Sequence, residues 1–361
     1  MGVKTRCLTP LSTLLLLFCL PPESRPEPSA RQAPLPPSHA PPVPPQGDVQ
    51  DPYLSIVMCG RHDNLRGDYT GRLQNSLDFL LRDAQEISAS IEVIIVEWNP
   101  LPSSPPLASL LRRPPGSTIP TRVITVSPQF HDSVSNSTGQ SFFEFMAKNV
   151  GARRARGEWV LFTNGDVVLS VDTLRAVTSP GLDPLAFYRM DRTEIPGLLD
   201  PLSPLQNRRE VLGELLGLLP PEQTCPVGEK ECLSDRNRGV CEQLAGGTKR
   251  PAPQHPEGLN GEEEEEEPFL PAAGDFLLVH AGALRELGGY HQVSSTTHLD
   301  SLLVCKLMGA GLRQRAMLRP CFMVHQRHPA PAQPARFVLP GWHLSDESCA
   351  NRARESRIYV E

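Results

Sequence analysis

Residues 157–170 read GEWVLFTNGDVVLS. The apolar run from Trp159 to Phe162 predicts a buried strand, which carries Asn164 and Asp166 to its carboxyl end. Ligands of parallel α/β sheets bind just beyond the carboxyl ends of the strands. Asp166 is therefore a candidate ligand for Mg²⁺ or Mn²⁺, since these ions bridge a carboxylate to a diphosphate. Asn-Gly is also a favoured turn pair, so this segment alone fits a plain chain reversal equally well.

The sequence on both sides of this segment alternates between strand and helix patterns. Buried strands are predicted at YLSIVMCG (53–60), IEVIIVEW (91–98) and TRVITVS (121–127), and helices at NSLDFLLRDAQEI (75–87) and FFEFMAKNVGARRA (142–155). Further on we expect a strand and a short helix in GDFLLVHAGALRELGGY (274–290), an amphipathic helix in HLDSLLVCKLMGAGLR (298–313) and a final strand in AMLRPCFMVHQRHP (316–329). The alternation predicts an α/β domain with a mostly parallel central sheet flanked by helices.

The composition limits the function classes. The chain has 361 residues, a formal net charge of −6 and no extended basic face, which argues against a nucleic-acid partner. Of nine cysteines, Cys7 and Cys19 lie in the N-terminal apolar segment, which leaves seven. In an oxidising compartment an odd number requires at least one free thiol or an intermolecular bridge.

The N-terminal sequence predicts entry into the secretory pathway. Its apolar run at 11–20 is shorter than the ~20 residues that cross a bilayer, so residues 1–22 are predicted to be a signal peptide or a short signal anchor. Residues 23–50 are Pro-rich and predict a stem or linker. The folded domain is expected at 51–345, with a Cys- and Glu-rich insertion at about 203–270 and a tail at 346–361. A glycosylation sequon at Asn136 fits a Golgi or ER lumen location, with the protein either anchored or secreted.

Residues 149–170 resemble the segment around the metal motif of family-2-type glycosyltransferases with the GT-A fold. That family reads N-x-G-x-x-x-A-x-G, then an apolar strand and D-x-D. The matching residues here are Asn149, Gly151, Ala155, Gly157 and Asp166. Asn164 replaces the first acid of the motif, whereas Asp166 matches the last acid, which is the direct metal ligand in the family.

The resemblance extends to four further segments and implies a set of binding residues. Those implied at the nucleotide are Gly60, Arg61 and Asp63 after the first strand, Glu97 in the second, and Asn149, Arg153 and Asn164 around the fourth. Gly274 and Asp275 are implied to face the sugar. The implied donor is a nucleotide-sugar, in particular a UDP-sugar, and the implied acceptor is a hydroxyl of a glycan or glycoprotein.

The helix pattern at 298–313 resembles the family's E-D helix, with Leu299 in place of Glu and Asp300 matching the second acid. Asp300 is the candidate general base of an inverting transfer, because such a transfer needs a carboxylate beside the acceptor hydroxyl. Asp300 could instead serve only as a helix N-cap. His325 is the candidate second ligand for Mn²⁺ or Mg²⁺, and His328 competes for that role.

Two other interpretations stay open. Because Asn164 and Leu299 both replace acids, the domain could be a catalytically inactive GT-A domain that serves as a binding or scaffold subunit. A nucleotidyltransferase is the other alternative, although CGRHDNLRG (59–67) is a poor match to the Gly-rich loop of that class. Trp98 and Tyr290 could stack on a base or sugar, or pack in the core.

Overall fold

The computed structural model describes residues 51–63, 67–135, 139–195, 197, 199–218, 274–293, 299–317 and 321–328. Several predicted features lie outside these residues. They are the signal segment 1–22, the stem 23–50, the sequon at Asn136, the part of the predicted insertion from 219 to 270, and the tail 346–361.

The described chain contains ten strands and eight helices. The strands are β1 (Leu54–Gly60), β2 (Ile91–Trp98), β3 (Thr121–Val126), β4 (Trp159–Thr163), β5 (Val167–Leu169), β6 (Ala186–Arg189), β7 (Arg192–Glu194), β8 (Phe276–His280), β9 (Arg313–Ala316) and β10 (Met323–His325). The helices are α1 (Tyr69–Glu86), α2 (Leu107–Leu110), α3 (Pro128–Val134), α4 (Glu144–Ala152), α5 (Val171–Val177), α6 (Leu205–Gly217), α7 (Ala281–Leu287) and α8 (Leu299–Gly309).

Seven of these strands form the central sheet, in the order β3-β2-β1-β4-β8-β6-β9. Neighbouring strands pair in parallel except at β8, which is antiparallel to both β4 and β6. The predicted α/β fold class with a mostly parallel central sheet is therefore confirmed.

The sheet is buried on both faces, which explains why its strands are continuous apolar runs. Successive side chains of a strand point to opposite faces. Leu54, Ile56 and Met58 of β1 accordingly pack in one core cluster with the leucines of α1 and with Leu174 of α5. Val57 and Cys59 pack in a second cluster with residues of α4, α7 and α8.

The segment 157–170, predicted as one strand, is divided between two sheets. A turn at 164–166 separates β4 from β5, and the Val167 amide donates to the Asn164 carbonyl oxygen at 3.3 Å. β5 belongs to a three-stranded sheet in the order β5-β10-β7. The segment 316–329 likewise contributes only its first residue, Ala316, to β9 of the central sheet, and it supplies β10 of the small one. The prediction of single strands was wrong here because an apolar run indicates burial but not which sheet buries it.

Two helices also differ from the prediction. The helix α8 was expected to be amphipathic, but its residues from Ser301 to Leu307 are all buried, as is Leu299. Helix α6 begins within the predicted insertion and packs against α1. There the buried Arg208 donates to Asn75 Oδ1 and to Asp78 Oδ2, each at 2.7 Å.

Candidate metal centre

Asp166, His325 and His328 lie together just beyond the carboxyl end of β4. One ligand atom of each lies within 4.8 Å of the other two. Asp166 Oδ2 is 3.7 Å from His325 Nε2 and 3.6 Å from His328 Nε2. The structure therefore brings the two predicted metal ligands together, and it places the competing His328 beside both.

The small sheet positions this cluster. In its register, His325 of β10 lies opposite Val167 of β5 on one side and Glu194 of β7 on the other. The Glu194 carboxylate lies 2.8 Å from His325 Nδ1. A proton held on Nδ1 by that carboxylate leaves the lone pair of Nε2 facing Asp166, which is the usual outer-shell arrangement for a metal-binding histidine. The Gln326 amide, next in the chain, donates to the Asp166 carbonyl oxygen at 2.9 Å.

The donor set fits a divalent transition metal. It offers one carboxylate oxygen and two imidazole nitrogens, and imidazole is a poor ligand for Mg²⁺, which prefers oxygen. Between the two predicted ions, Asp166, His325 and His328 thus suit Mn²⁺ better than Mg²⁺.

Arg72 of α1 lies against the same carboxylate. Its Nε is 3.6 Å from Asp166 Oδ2, and the side chain is 7% exposed. The guanidinium carbon lies 5.8 Å from the centre of the Tyr69 ring. Within the described residues, Arg72 Nε and Nη2 are buried and have no hydrogen-bond partner. A charged side chain is thus buried at the site with unused donors.

A second set of polar side chains crosses the carboxyl end of the sheet beside this cluster. Lys148 Nζ donates to Asn164 Oδ1 at 2.9 Å and to the Gly274 carbonyl oxygen at 2.7 Å. Asn164 Nδ2 donates to Asp275 Oδ1 at 2.6 Å, and Arg192 Nη1 donates to Asp275 Oδ2 at 2.8 Å. Lys148 thus joins Asn164 to Gly274, and Asn164 in turn contacts Asp275. The structure therefore brings these three predicted residues together.

Lys148 is fully buried and charged. Burial acts to lower the pKa of its ammonium group, but the Glu144 carboxylate, 2.7 Å from Nζ, outweighs that effect and the pKa is raised. An ammonium group only donates hydrogen bonds, so Lys148 fixes the orientation of the Asn164 amide with its oxygen toward Lys148.

Asp300 lies at the start of α8, beside Gly274. A Cβ atom added at Gly274 would stand 3.2 Å from Asp300 Oδ2, so glycine is what allows this approach. Burial raises the pKa of the Asp300 carboxyl group, and the charge of Glu144 adds to this, while Lys148 opposes it. The candidate base is thus half-buried and close to Lys148 and Gly274.

The residues predicted at the ends of β1 and β2 contact other parts of the protein. Arg61 Nη2 lies 2.6 Å from Asp63 Oδ2, and Arg61 Nη1 donates to the Ser141 carbonyl oxygen. Gly60 packs against Tyr69, whose ring would lie 2.3 Å from a Cβ at position 60. Glu97 is fully buried, where its carboxylate accepts from the Leu107 amide and the Thr125 hydroxyl.

Asn149 and Arg153 do not join the cluster. The Asn149 amide is used in two hydrogen bonds, since Nδ2 donates to the Tyr290 carbonyl oxygen and Oδ1 accepts from the Tyr290 amide. Arg153 is exposed at the end of α4, just before β4 begins, and so lies at the opposite edge of the sheet from Asp166. The structure therefore does not bring Arg153 to the cluster, and its role at the nucleotide stays a prediction. The motif match gives the position of Arg153 in the sequence, but it does not predict at which end of the sheet α4 leaves this residue.

Trp98 and Tyr290 are core residues. Trp98 is fully buried and its Nε1 donates to His131 Nδ1 at 2.9 Å. Tyr290 is 1% exposed and packs against Phe145 and Phe162, with ring centres 4.9 Å apart in each pair. Of the two interpretations, core packing is therefore correct for both.

The cysteines of the described chain differ in state. Cys59 is free and buried, whereas Cys305 and Cys321 are disulfide-bonded. A free thiol agrees with the odd number of cysteines outside the N-terminal apolar segment.

The sequence prediction missed Arg72, Lys148, Arg192 and Glu194. A signal was available for Lys148, a cation beside Ala147 on the apolar face of a predicted helix. Arg72 lies just before the helix predicted at 75–87, but in the structure it is part of α1, beside Leu73. Buried cations of this kind need a partner, and so they indicate a polar site within the core. Arg192 and Glu194 lie in a three-residue strand that has no apolar pattern to reveal it.

No protein-family model matches the chain, and no curated protein sequence matches it. Three similar solved structures illustrate what the chain is similar to. A mannosyltransferase, PcManGT, from Pyrobaculum calidifontis in complex with GDP-Man and Mn²⁺ is 13% identical, with 86% of this chain and 76% of that chain covered and a TM-score of 0.41. S. aureus TarS 1-349 in complex with UDP-GlcNAc is 11% identical over 84% of this chain and 65% of that chain, with a TM-score of 0.40. The catalytic domain of Drosophila beta1,4-galactosyltransferase 7 in complex with xylobiose is 8% identical over 74% and 65%, with a TM-score of 0.35. Two of the three are glycosyltransferases by name.

Among the helices of the described residues, none combines the length and the apolar character needed to cross a membrane.

Proposed function

We propose that the protein is a metal-assisted glycosyltransferase, which moves a sugar from a nucleotide-sugar donor, in particular a UDP-sugar, to a hydroxyl of a glycan or glycoprotein. One observation carries the proposal. At the carboxyl end of one sheet, the Asp166, His325 and His328 cluster lies beside a polar network that leads through Asn164 and Gly274 to Asp300.

Each end of this arrangement has a separate role. Asp166, His325 and His328 would hold Mn²⁺, and the bound ion supplies a Lewis acid for the charge on the leaving diphosphate. Asn164, Gly274 and Asp275 lie between the two ends, where the donor sugar would sit. Lys148 holds Asn164 and Gly274 in place by hydrogen bonds, and Arg192 holds Asp275 in the same way.

Asp300 is the proposed general base. As the acceptor oxygen attacks the anomeric carbon, the new C–O bond forms and the bond to the diphosphate breaks. The diphosphate leaves with the electron pair, and the hydroxyl proton passes to the Asp300 carboxylate. Burial raises the pKa of this carboxyl group, which makes its ionised form a stronger base. Attack from the face opposite the diphosphate inverts the anomeric centre.

We also propose that the domain works in the lumen of the secretory pathway. The disulfide-bonded Cys305 and Cys321 support this, because structural disulfides persist in oxidising compartments. Expression of the full chain in a secretory cell should give a protein whose gel mobility shifts on glycosidase treatment, and Asn136→Gln should remove that shift. A cytosolic chain without glycan would contradict this location.

The test of the function is metal-dependent release of nucleoside diphosphate. The full chain from a secretory cell is incubated with a panel of sugar nucleotides and glycan acceptors, with Mn²⁺ or with a chelator. We expect release with at least one UDP-sugar, lost with the chelator. Asp166→Asn should reduce it by at least about 10²-fold, because the charge that holds the ion is removed while the shape is kept. Asp172→Asn, at a half-buried position in the first turn of the adjacent helix α5, is the matched control.

The inactive scaffold remains the second candidate, and one observation favours it. Leu299 occupies the position of the family's first acid and is fully buried in the core, so Asp300 has no carboxylate partner there. Sugar-nucleotide binding without release by the wild-type protein, across the whole panel, would favour the scaffold. Pyrophosphate release from nucleoside triphosphates would instead indicate a nucleotidyltransferase.

A further inference from the structure

Arg72 lies in the metal centre, and the proposed function gives it no role. It lies on the first turn of α1, and its side chain is 7% exposed. Nε and Nη2 are buried and have no hydrogen-bond partner among the described residues. Leaving donors of a buried charge unused is costly, so their presence indicates a ligand that is bound during function.

The surroundings direct these donors toward the metal centre. The Tyr69 ring lies 5.8 Å from the guanidinium carbon, and the ring is itself held by a hydrogen bond from Tyr69 Oη to the Cys59 carbonyl oxygen at 2.6 Å. A guanidinium group that contacts an aromatic ring keeps its N–H edge available for oxyanions. Arg72 Nε lies 3.6 Å from Asp166 Oδ2, just beyond hydrogen-bonding distance.

Asp166 Oδ2 has three nitrogen neighbours at almost equal distances. Arg72 Nε and His328 Nε2 are each 3.6 Å away, and His325 Nε2 is 3.7 Å away. A divalent cation held by Asp166 and the histidines would therefore share its carboxylate with a permanent positive charge. The cation and Arg72 compete for the same negative charge, because like charges at this range repel strongly in a buried site.

We propose that Arg72 is a diphosphate-binding residue, which pairs with Asp166 until a divalent cation takes that carboxylate. The released guanidinium then donates from Nε and Nη2 to two oxygens of the diphosphate. This inference rests on the proposed function, since a diphosphate is the leaving group of a nucleotide-sugar. In chemical terms the ligand is a diphosphate together with its metal ion, and Arg72 supplies a bidentate contact that a lysine cannot reproduce.

The test measures two affinities of the full chain by calorimetry, for Mn²⁺ alone and for inorganic pyrophosphate or UDP in the presence of Mn²⁺. Arg72→Gln should shift them in opposite directions. Mn²⁺ alone should bind on the order of tenfold more tightly, because a competing charge is removed. Pyrophosphate and UDP should bind roughly 10- to 100-fold more weakly, the usual effect of losing hydrogen bonds to a charged donor.

Two further variants guard against a general loss of structure. Arg72→Lys keeps the charge but loses the fork, so Mn²⁺ should bind as in the wild type while pyrophosphate binds more weakly. Arg82→Gln, on an exposed turn of the same helix, should change neither affinity. Thermal unfolding of each variant establishes that it is folded before binding is compared.

The outcomes separate this inference from the proposed function. Opposite shifts in Arg72→Gln support the inference even if no sugar is transferred, in which case only the proposed function fails. Unchanged pyrophosphate and UDP affinity in Arg72→Gln would overturn it, and tighter Mn²⁺ binding alone would show that Arg72 is only the counter-ion of Asp166. Absence of Mn²⁺ binding in both the wild type and Arg72→Gln would overturn it as well.

Discussion

At the scale of single residues, the hydrogen-bond partners of Asn164 explain why an amide stands at this position. The sequence presents it as a lost acid, which favoured an inactive domain. In the structure its oxygen accepts from Lys148 and its nitrogen donates to Asp275. An ammonium group only donates and a carboxylate only accepts, so an amide is the side chain that satisfies both partners. An aspartate here would face Asp275 with a second negative charge.

Restoring the family's acid should therefore harm the protein. We expect Asn164→Asp to lower the free energy of unfolding at pH 7 by about 2 kcal/mol, since a hydrogen bond to a charged group is replaced by repulsion. In a domain of this size each kcal/mol corresponds to roughly 2–4 °C in Tm. Mn²⁺ affinity should not increase. Thermal unfolding and Mn²⁺ titration measure the two effects.

The double variant Asn164→Asp, Asp275→Asn is the control for this prediction. It exchanges the amide and the carboxylate, so that one donor again faces one acceptor, and it should recover much of the lost stability. An Asn164→Asp protein as stable as the wild type, with tighter Mn²⁺ binding, would show instead that Asn164 is a weakened metal ligand.

At the scale of elements, the strands that form the central sheet were predictable because both of its faces are covered, which makes each strand a plain apolar run. The same signal failed at β5 and β10, which are three residues long and belong to the small sheet. Their neighbours in the sequence are strands of the central sheet, and periodicity alone does not report the turn at 164–166 that separates them.

The site was predictable to the extent that its residues follow a strand. Asp166 and His325 could be predicted as candidate ligands because each comes at the carboxyl end of an apolar run. Arg72 and Lys148 could not, because each lies within a helix, where it interrupts an apolar face. The position of Arg153 away from the cluster was not predictable, since a motif gives an order along the chain, whereas the path of α4 decides which edge of the sheet each residue reaches.

At the scale of the whole molecule, polar contacts run without a break along the carboxyl end of the sheet. Their members are Arg72, Asp166, His325, Glu194, Arg192, Asp275, Asn164, Lys148 and Glu144. The acidic groups of this series each lie beside a cation, a histidine or an amide, so that most of the charges have a partner before any ligand binds. Such preorganisation is expected of a catalytic site, in which charges act without rearrangement.

The pKa of Asp300 adds a dependence on pH. Burial raises it above the usual value of a carboxyl group, so the base becomes active only as the pH rises through that raised pKa. Transfer by the wild type should therefore fall as the pH is lowered into the acidic range. Because the pKa is raised in the folded state, the folded protein holds the Asp300 proton more tightly than the unfolded chain does. The protonated carboxyl group therefore contributes to stability at low pH, and this contribution is lost as the pH rises through the raised pKa.

The most direct measurement compares sugar transfer and donor affinity in the wild type and Asp300→Asn. In the structure Asp300 lies in the first turn of α8, after Leu299, and not at the N-cap. Asparagine has nearly the same shape as aspartate, so the substitution keeps a polar side chain there and removes only the base. We predict that transfer falls on the order of 10² to 10⁴-fold while sugar-nucleotide affinity is roughly intact, since a base acts in the transition state and not on donor binding. Near-normal transfer by Asp300→Asn would contradict the assignment of the base. Absence of transfer by the wild type, on a broad donor and acceptor panel, would contradict the enzyme itself.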